Sequence, residues 1–307
     1  MSNPSNTKSF FDLHTSGIGY VQRAREVPVK GGRRAQSFLA CTIAALVGSA
    51  KNPIYRYFDV KVSGAEAKKF VQGYIGVDDP KRRPLVRFRL GDLWSDAYLR
   101  PSGPHQGEVA ASLKARLLKA EPIDRAELAK IERYELITGG IGYLNRPKDI
   151  VPKDGDPFLS CSIAALTGLV EEPEYRFINA VVGTTDAQHL VRRCIQAVEA
   201  EHKVLIAFRL NDMKIDPYLR KKGEHAGEPA ASLDSTLVHV GLIKIDGKQV
   251  YPEPSEKTDA SPAEDATPPE ATDDTDQDSA VPSQESDTRD PETDDAPEPA
   301  PALAASF

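Results

Sequence analysis

Phe38-Leu-Ala-Cys-Thr-Ile-Ala-Ala-Leu46 returns 120 residues further along the chain as Phe158-Leu-Ser-Cys-Ser-Ile-Ala-Ala-Leu166. The same offset relates Val86-Arg-Phe-Arg-Leu-Gly-Asp92 to Ile206-Ala-Phe-Arg-Leu-Asn-Asp212, and Tyr98-Leu-Arg100 to Tyr218-Leu-Arg220. It also relates Gly103-x-His105-x-Gly107-Glu108 to Gly223-x-His225-x-Gly227-Glu228. Upstream, Gly17-Ile-Gly-Tyr20 matches Gly140-Ile-Gly-Tyr143 at an offset of 123, so one loop differs by three residues. The 307-residue chain therefore carries two homologous units, residues 10–124 and 133–250, each of ordinary domain length. Two copies are too few for a solenoid, so each unit is expected to own its core.

The pattern within a unit has period two. Phe58, Val60 and Val62 alternate with Asp59 and Lys61, and Phe88 and Leu90 alternate with Arg87 and Arg89, as in strands with one buried face. Further strands are predicted near 18–27, 37–47 and 109–120. A short helix is predicted over Ala65–Tyr74, mirrored by Asp186–Ile195. Five strands with a helix between the third and fourth is the order of an OB-fold, a small Greek-key barrel. The fold class expected is all-β, with two tandem OB-fold units followed by a tail.

Charge divides the chain more sharply than its overall value of -7 suggests. Residues 252–307 hold 17 acidic and 2 basic residues, a net -15, together with 10 of the 24 prolines. Residues 1–251 hold 37 Lys+Arg against 29 Asp+Glu, a net +8. That excess belongs to the first unit: residues 1–124 have 20 basic against 11 acidic, whereas residues 125–251 have 17 against 18. The tail has almost nothing to bury and is expected to be disordered, an acidic extension able to compete with phosphates for the basic unit.

No apolar run approaches the length of a membrane helix and the start shows no signal segment, so a cytoplasmic protein without membrane contact is expected. Three cysteines with no Cys-x-x-Cys pair argue against a disulfide framework and a cysteine zinc site. The repeated Gly-x-His-x-Gly-Glu loop is the best place for an acid/base pair, through His105 with Glu108 and His225 with Glu228. No second cluster accompanies it, and no phosphate-binding loop or nucleophile elbow occurs. A non-enzymatic protein is expected, with no cofactor and no metal.

Gly19-Tyr-Val-Gln-Arg-Ala-Arg-Glu-Val27 and Gly142-Tyr-Leu-Asn-Arg-Pro-Lys-Asp-Ile150 resemble the first strand and turn of bacterial single-stranded DNA-binding proteins. Tyr57-Phe-Asp-Val-Lys-Val-Ser-Gly64 is similar to that family's aromatic third strand and glycine, and Leu113-Lys-Ala-Arg116 to its final basic strand. The whole chain, above all Phe10-Phe-Asp-Leu-His-Thr-Ser-Gly-Ile-Gly-Tyr20, is also similar to a family of replication-associated proteins of integrating conjugative elements. The resemblance implies that Tyr57 stacks on a base and that Lys114 and Arg116 track phosphates. Departures are equally plain: Ser63 replaces the second stacking aromatic, and the loop after strand two shortens to Gly48–Pro53.

An unpaired strand offers phosphate charges and open base faces, so a binder needs cations beside aromatics. The candidate residues are Tyr20, Arg23, Arg33, Arg34, Tyr55, Tyr57, Lys61, Arg87, Arg89, Trp94, Lys114 and Arg116. In the second unit Lys61 becomes Val181, Arg87 becomes Ala207 and Trp94 becomes Lys214, while the aromatics persist as Tyr175 and Phe177. The first unit is thus expected to bind nucleic acid, and the second to pack against it, another copy or a protein. Tyr57 also reads as a rim residue over the barrel mouth, Tyr20 as structural and the basic loops as solvated faces.

The tail ends in Pro301-Ala-Leu-Ala-Ala-Ser-Phe307, which resembles the partner-docking tip of the single-strand binders, although the nearest acidic pair, Asp294-Asp295, lies well upstream. Phe307 is the docking candidate, toward replication or recombination proteins. The function expected is binding of single-stranded DNA, or RNA, during replication, maintenance or transfer of a mobile element. The alternative is a protein-protein interaction scaffold whose units bind no nucleic acid. Two joined barrels can replace a dimer or pair again as a homo-oligomer.

Overall fold

A computed structural model describes residues 9–29, 37–77 and 79–252. Arg33, Arg34, Phe307 and the tail from residue 253 onward lie outside the described residues. The chain is all-β apart from short helices. In order it forms β1 (Phe10–Phe11), β2 (His14–Val27), β3 (Phe38–Ser49), β4 (Ile54–Val62), α1 (Ala65–Gln72), β5 (Leu85–Leu99) and β6 (Val109–Pro122). The connecting helix α2 (Arg125–Leu128) and β7 (Arg133–Tyr134) follow. The second repeat comprises β8 (Ile137–Ile150), β9 (Phe158–Leu169), β10 (Pro173–Val182), α3 (Thr185–Arg193), α4 (Ile195–Glu199), β11 (Val204–Leu219), β12 (Pro229–Ile245) and β13 (Lys248–Tyr251).

The strands form because β-branched and aromatic residues alternate with polar ones, and the pairing follows the buried face. In the first repeat β2 pairs with β3, β3 with β4, β4 with β6 in parallel, β6 with β5, and β5 back with β2. The sequence of partners closes on itself, with α1 between β4 and β5. In the second repeat β8, β9, β10, β12 and β11 close in the same way, with α3 and α4 in the helical position and β13 added beside β12.

Closing five strands forces close approaches that only glycine permits. A Cβ on Gly19 would sit 2.6 Å from the Ala44 carbonyl oxygen, and one on Gly142 would sit 2.6 Å from that of Ala164. Both obstacles are neighbouring backbone, which cannot move aside as a side-chain tip can. Gly19→Ala and Gly142→Ala are each expected to cost about 1–3 kcal/mol of stability, seen as a lower urea midpoint with an unchanged slope. No fall in midpoint for either variant would contradict the close approach.

The buried residues do not separate into two cores as the repeat pattern predicts. One continuous cluster runs from Leu13 and Phe58 in the first repeat to Phe208 and Leu237 in the second. The cause is a reciprocal exchange of the segments that precede β2 and β8. β1 pairs with β9 of the second repeat, whereas β7 pairs with β3 of the first. Leu13, 1% exposed, lies against Gly140, and Leu136, 0% exposed, lies against Gly17. Each leucine thereby fills a space beneath the other repeat's first strand. β2 and β8 also pair directly over His14–Ser16, where the buried hydroxyls of Thr15 and Thr138 are hydrogen-bonded at 2.9 Å. These exchanged positions are related by the offset of 123, so the junction has an internal two-fold symmetry.

Candidate nucleic-acid interface

On the outer face of the first repeat the register aligns the candidate residues into rows. Gln22 faces Thr42, Thr42 faces Asp59, Asp59 faces Lys114, and Lys114 faces Trp94, across β2, β3, β4, β6 and β5. The next row toward one end places Lys61 beside Arg116. Toward the other end come Tyr57 and then Tyr55, whose rings stack with centroids 6.2 Å apart and 20° between planes. The face therefore grades from two cations, through a mixed centre, to two stacked phenols. Lys61 also lies over the Phe38 ring, 5.6 Å from its centroid.

Tyr57 is 41% exposed and free to present its ring, whereas Tyr55 is half-buried. Tyr20 is more structural still. It packs with Tyr55 and Leu85 around Ile18, Leu46 and the arm residue Tyr134. Burial pushes the Tyr20 hydroxyl above its ordinary pKa, with Tyr134 adding to the effect, and burial does the same to Tyr55. Trp94 is half-buried on the rim of the central row.

Carboxylates hold three of the candidate cations. Lys114 is ion-paired with Asp96, Arg116 with Asp92, and Arg87 with Glu127 of α2. Arg89 donates toward Nδ1 of His14 at 3.0 Å, and burial followed by the Arg89 charge lowers the His14 pKa. Arg23 is exposed in a β-bulge with φ 53°, a left-handed conformation mirrored by Arg146 at 48°. Among the described residues, Lys61 has no carboxylate at ion-pair distance. Exposed ion pairs contribute at most about 1 kcal/mol each, so Lys114 and Arg116 can exchange a carboxylate for a phosphate at small cost. Their partners Asp92 and Asp96 were not legible as partners because register shifts in β5 bring them there.

The same face of the second repeat keeps Arg146 and Arg209 in place of Arg23 and Arg89 but loses three other cations. Lys61, Lys114 and Arg116 are replaced by Val181, Asp234 and Thr236, in the same register. Asn179 there donates to Asp234 at 3.2 Å. Phe177 is 64% exposed, more than Tyr57, so aromatic exposure alone does not distinguish the two faces. Charge does.

A groove of about 430 Å3 opens beside Tyr55 and Tyr57, lined also by Asp59, Ser112 and Leu113 of the first repeat and by Lys214 and Ile215 of the second. Beside it Arg56, which also lines the groove, donates two hydrogen bonds to Asp212, at 2.7 and 2.9 Å, joining the repeats. Such a two-pronged guanidinium–carboxylate pair fixes orientation as well as distance.

The other candidates have no comparable setting. His105 and Glu108 face each other at 3.1 Å in an exposed loop, as do His225 and Glu228. Among the described residues no three His, Cys, Asp or Glu side chains gather as a metal site. Cys41 and Cys161 are buried, which pushes both thiols up to about 12 and keeps them protonated. Among the described residues no helix is long and apolar enough to cross a membrane.

A β-rich, internally duplicated protein with one basic, aromatic-bearing face is the class these features define. Residues 4–125 and 127–259 both match the family described as protein of unknown function (DUF3577), and the chain belongs to that family. Each match covers one repeat together with its exchanged arm, so the family's unit is the single repeat. No curated protein matches the chain.

Proposed function

We propose that each repeat is an OB-fold barrel and that the first binds single-stranded DNA in the replication, maintenance or transfer of a mobile element. The fold assignment is supported by the closed order β2-β3-β4-β6-β5, with one parallel pair and a helix before the fourth strand. One observation carries the binding reading: Tyr57 and Tyr55 share an outer face with Lys61, Arg116 and Lys114, and the second repeat keeps the rings but loses those three cations. Rings hold bases and cations hold phosphates, so a face with both suits an unpaired strand better than either a duplex or a peptide. Lys61 and Arg116 take phosphates at one end while Tyr57 stacks under a base at the other.

The second repeat presents Tyr175, Phe177 and Val181 without those cations, each exposed, which favours a protein contact there. Tyr57→Ala is expected to weaken oligothymidine binding by about 1–3 kcal/mol, and Phe177→Ala by much less, in fluorescence-anisotropy titrations. Equal losses would remove the division of labour between the repeats.

A further inference from the structure

The cation missing from the second repeat's own face is present elsewhere. Lys214 occupies the position that Trp94 holds in the first repeat, yet it lines the groove beside Tyr55 and Tyr57 of the first. A bulge and the junction between the repeats together bring it there. β11 carries a bulge between Asn211 and Lys214, with Asp212 at φ 58°, and bulges re-aim the side chains that follow them. The internal two-fold then lays β11 against β6 of the first repeat.

Lys214 is also electrostatically available. Its nearest carboxylate, Asp212, lies 3.7 Å away but already accepts both hydrogen bonds from Arg56. The Arg56 charge therefore offsets Asp212, and the Lys214 ammonium, 59% exposed, is left facing the groove. Arg56 is committed to joining the repeats; Lys214 is not.

We infer that Lys214 is a phosphate-binding residue of the first repeat's site, supplied by the second repeat, so that a bound single strand runs across the junction between the two. This rests on the binding reading above and extends it: the site is composite, and neither repeat contains all of it. A strand with a base on Tyr57 would place a neighbouring phosphate toward Lys214 and continue toward Lys61 and Arg116 in the other direction. The exchange of Trp94 for Lys214 between repeats then has a physical purpose, because it gives a cation to the groove whose strands already carry the tyrosines.

The test is anisotropy binding of the full chain to labelled oligothymidine from 50 mM to 1 M salt, for wild type, Lys214→Gln, Lys61→Gln and Lys248→Gln. One lost phosphate contact lowers the slope of log K against log salt by about 0.7 for a single strand, which removes about an eightfold gain in affinity between 1 M and 50 mM. Lys214→Gln and Lys61→Gln are each expected to show that loss. Lys248→Gln, on β13 at the far side of β12, is expected to behave as wild type. A wild-type slope for Lys214→Gln beside a reduced slope for Lys61→Gln would overturn the composite site while leaving the first repeat as a binder. No wild-type binding to oligothymidine would instead remove the reading on which it rests.

Discussion

Replacing Leu136 with Ala is expected to lower the free energy of unfolding by about 2–5 kcal/mol, the cost of an unfilled core cavity. Leu136 belongs by sequence to the arm before β8, yet it is fully buried against Gly17 and near Phe88 of the first repeat. The cavity therefore opens in one repeat when the other's leader is changed. Leu13→Ala is the mirror experiment, since Leu13 lies against Gly140 and shares that glycine's surroundings with Phe208. Because the buried cluster is continuous, both variants should unfold in a single transition in urea, with the loss seen alike by probes in either repeat. A loss below about 1 kcal/mol, or a separate early transition of one repeat, would show that the arms are not part of a shared core.

The second large effect concerns charge. The double variant Lys61→Gln/Arg116→Gln removes two neighbouring cations from the face that carries Tyr57. Two lost phosphate contacts lower the single-strand salt slope by about 1.4, roughly a sixtyfold loss of the affinity gained between 1 M and 50 mM salt. Asp92 loses its Arg116 partner in this variant, and its freed charge adds to the effect at low salt. At 1 M salt, where phosphate attraction is screened, stacking on Tyr57 persists and the variant should approach wild type. An unchanged slope would mean that these two side chains do not meet phosphates.

Much of this architecture is legible in the amino-acid sequence. The offset of 120 locates both repeats, and the alternation at Phe58–Val62 and Val86–Leu90 identifies the strands β4 and β5 and their buried faces. Which side chains meet across strands depends on register, which the sequence pattern does not carry. β5 runs on to Leu99 through two register shifts, and those shifts bring Asp92 and Asp96 to Arg116 and Lys114. Asp92 adopts φ 52° at the second shift, a conformation no period-two pattern signals.

The arm exchange was hidden for a different reason. Leu13 and Leu136 each stand in short apolar contexts that fit their own repeat as well as the other, and only the assembled junction selects the crossed arrangement. A hint lies in the sequence upstream of Gly17, where the offset of 123 also pairs Leu13 with Leu136. Lys214 was visible only as the counterpart of Trp94. Its place beside the tyrosines depends on the same junction.

The most direct test of the central claim is anisotropy binding of the full chain to a labelled oligothymidine and to a matching duplex, each across a salt series. Preference for the single strand, with an affinity that falls steeply as salt rises, is the predicted result. Absence of single-strand binding at low salt, repeated on a chain lacking residues 253–307, would contradict it and favour a protein-binding scaffold.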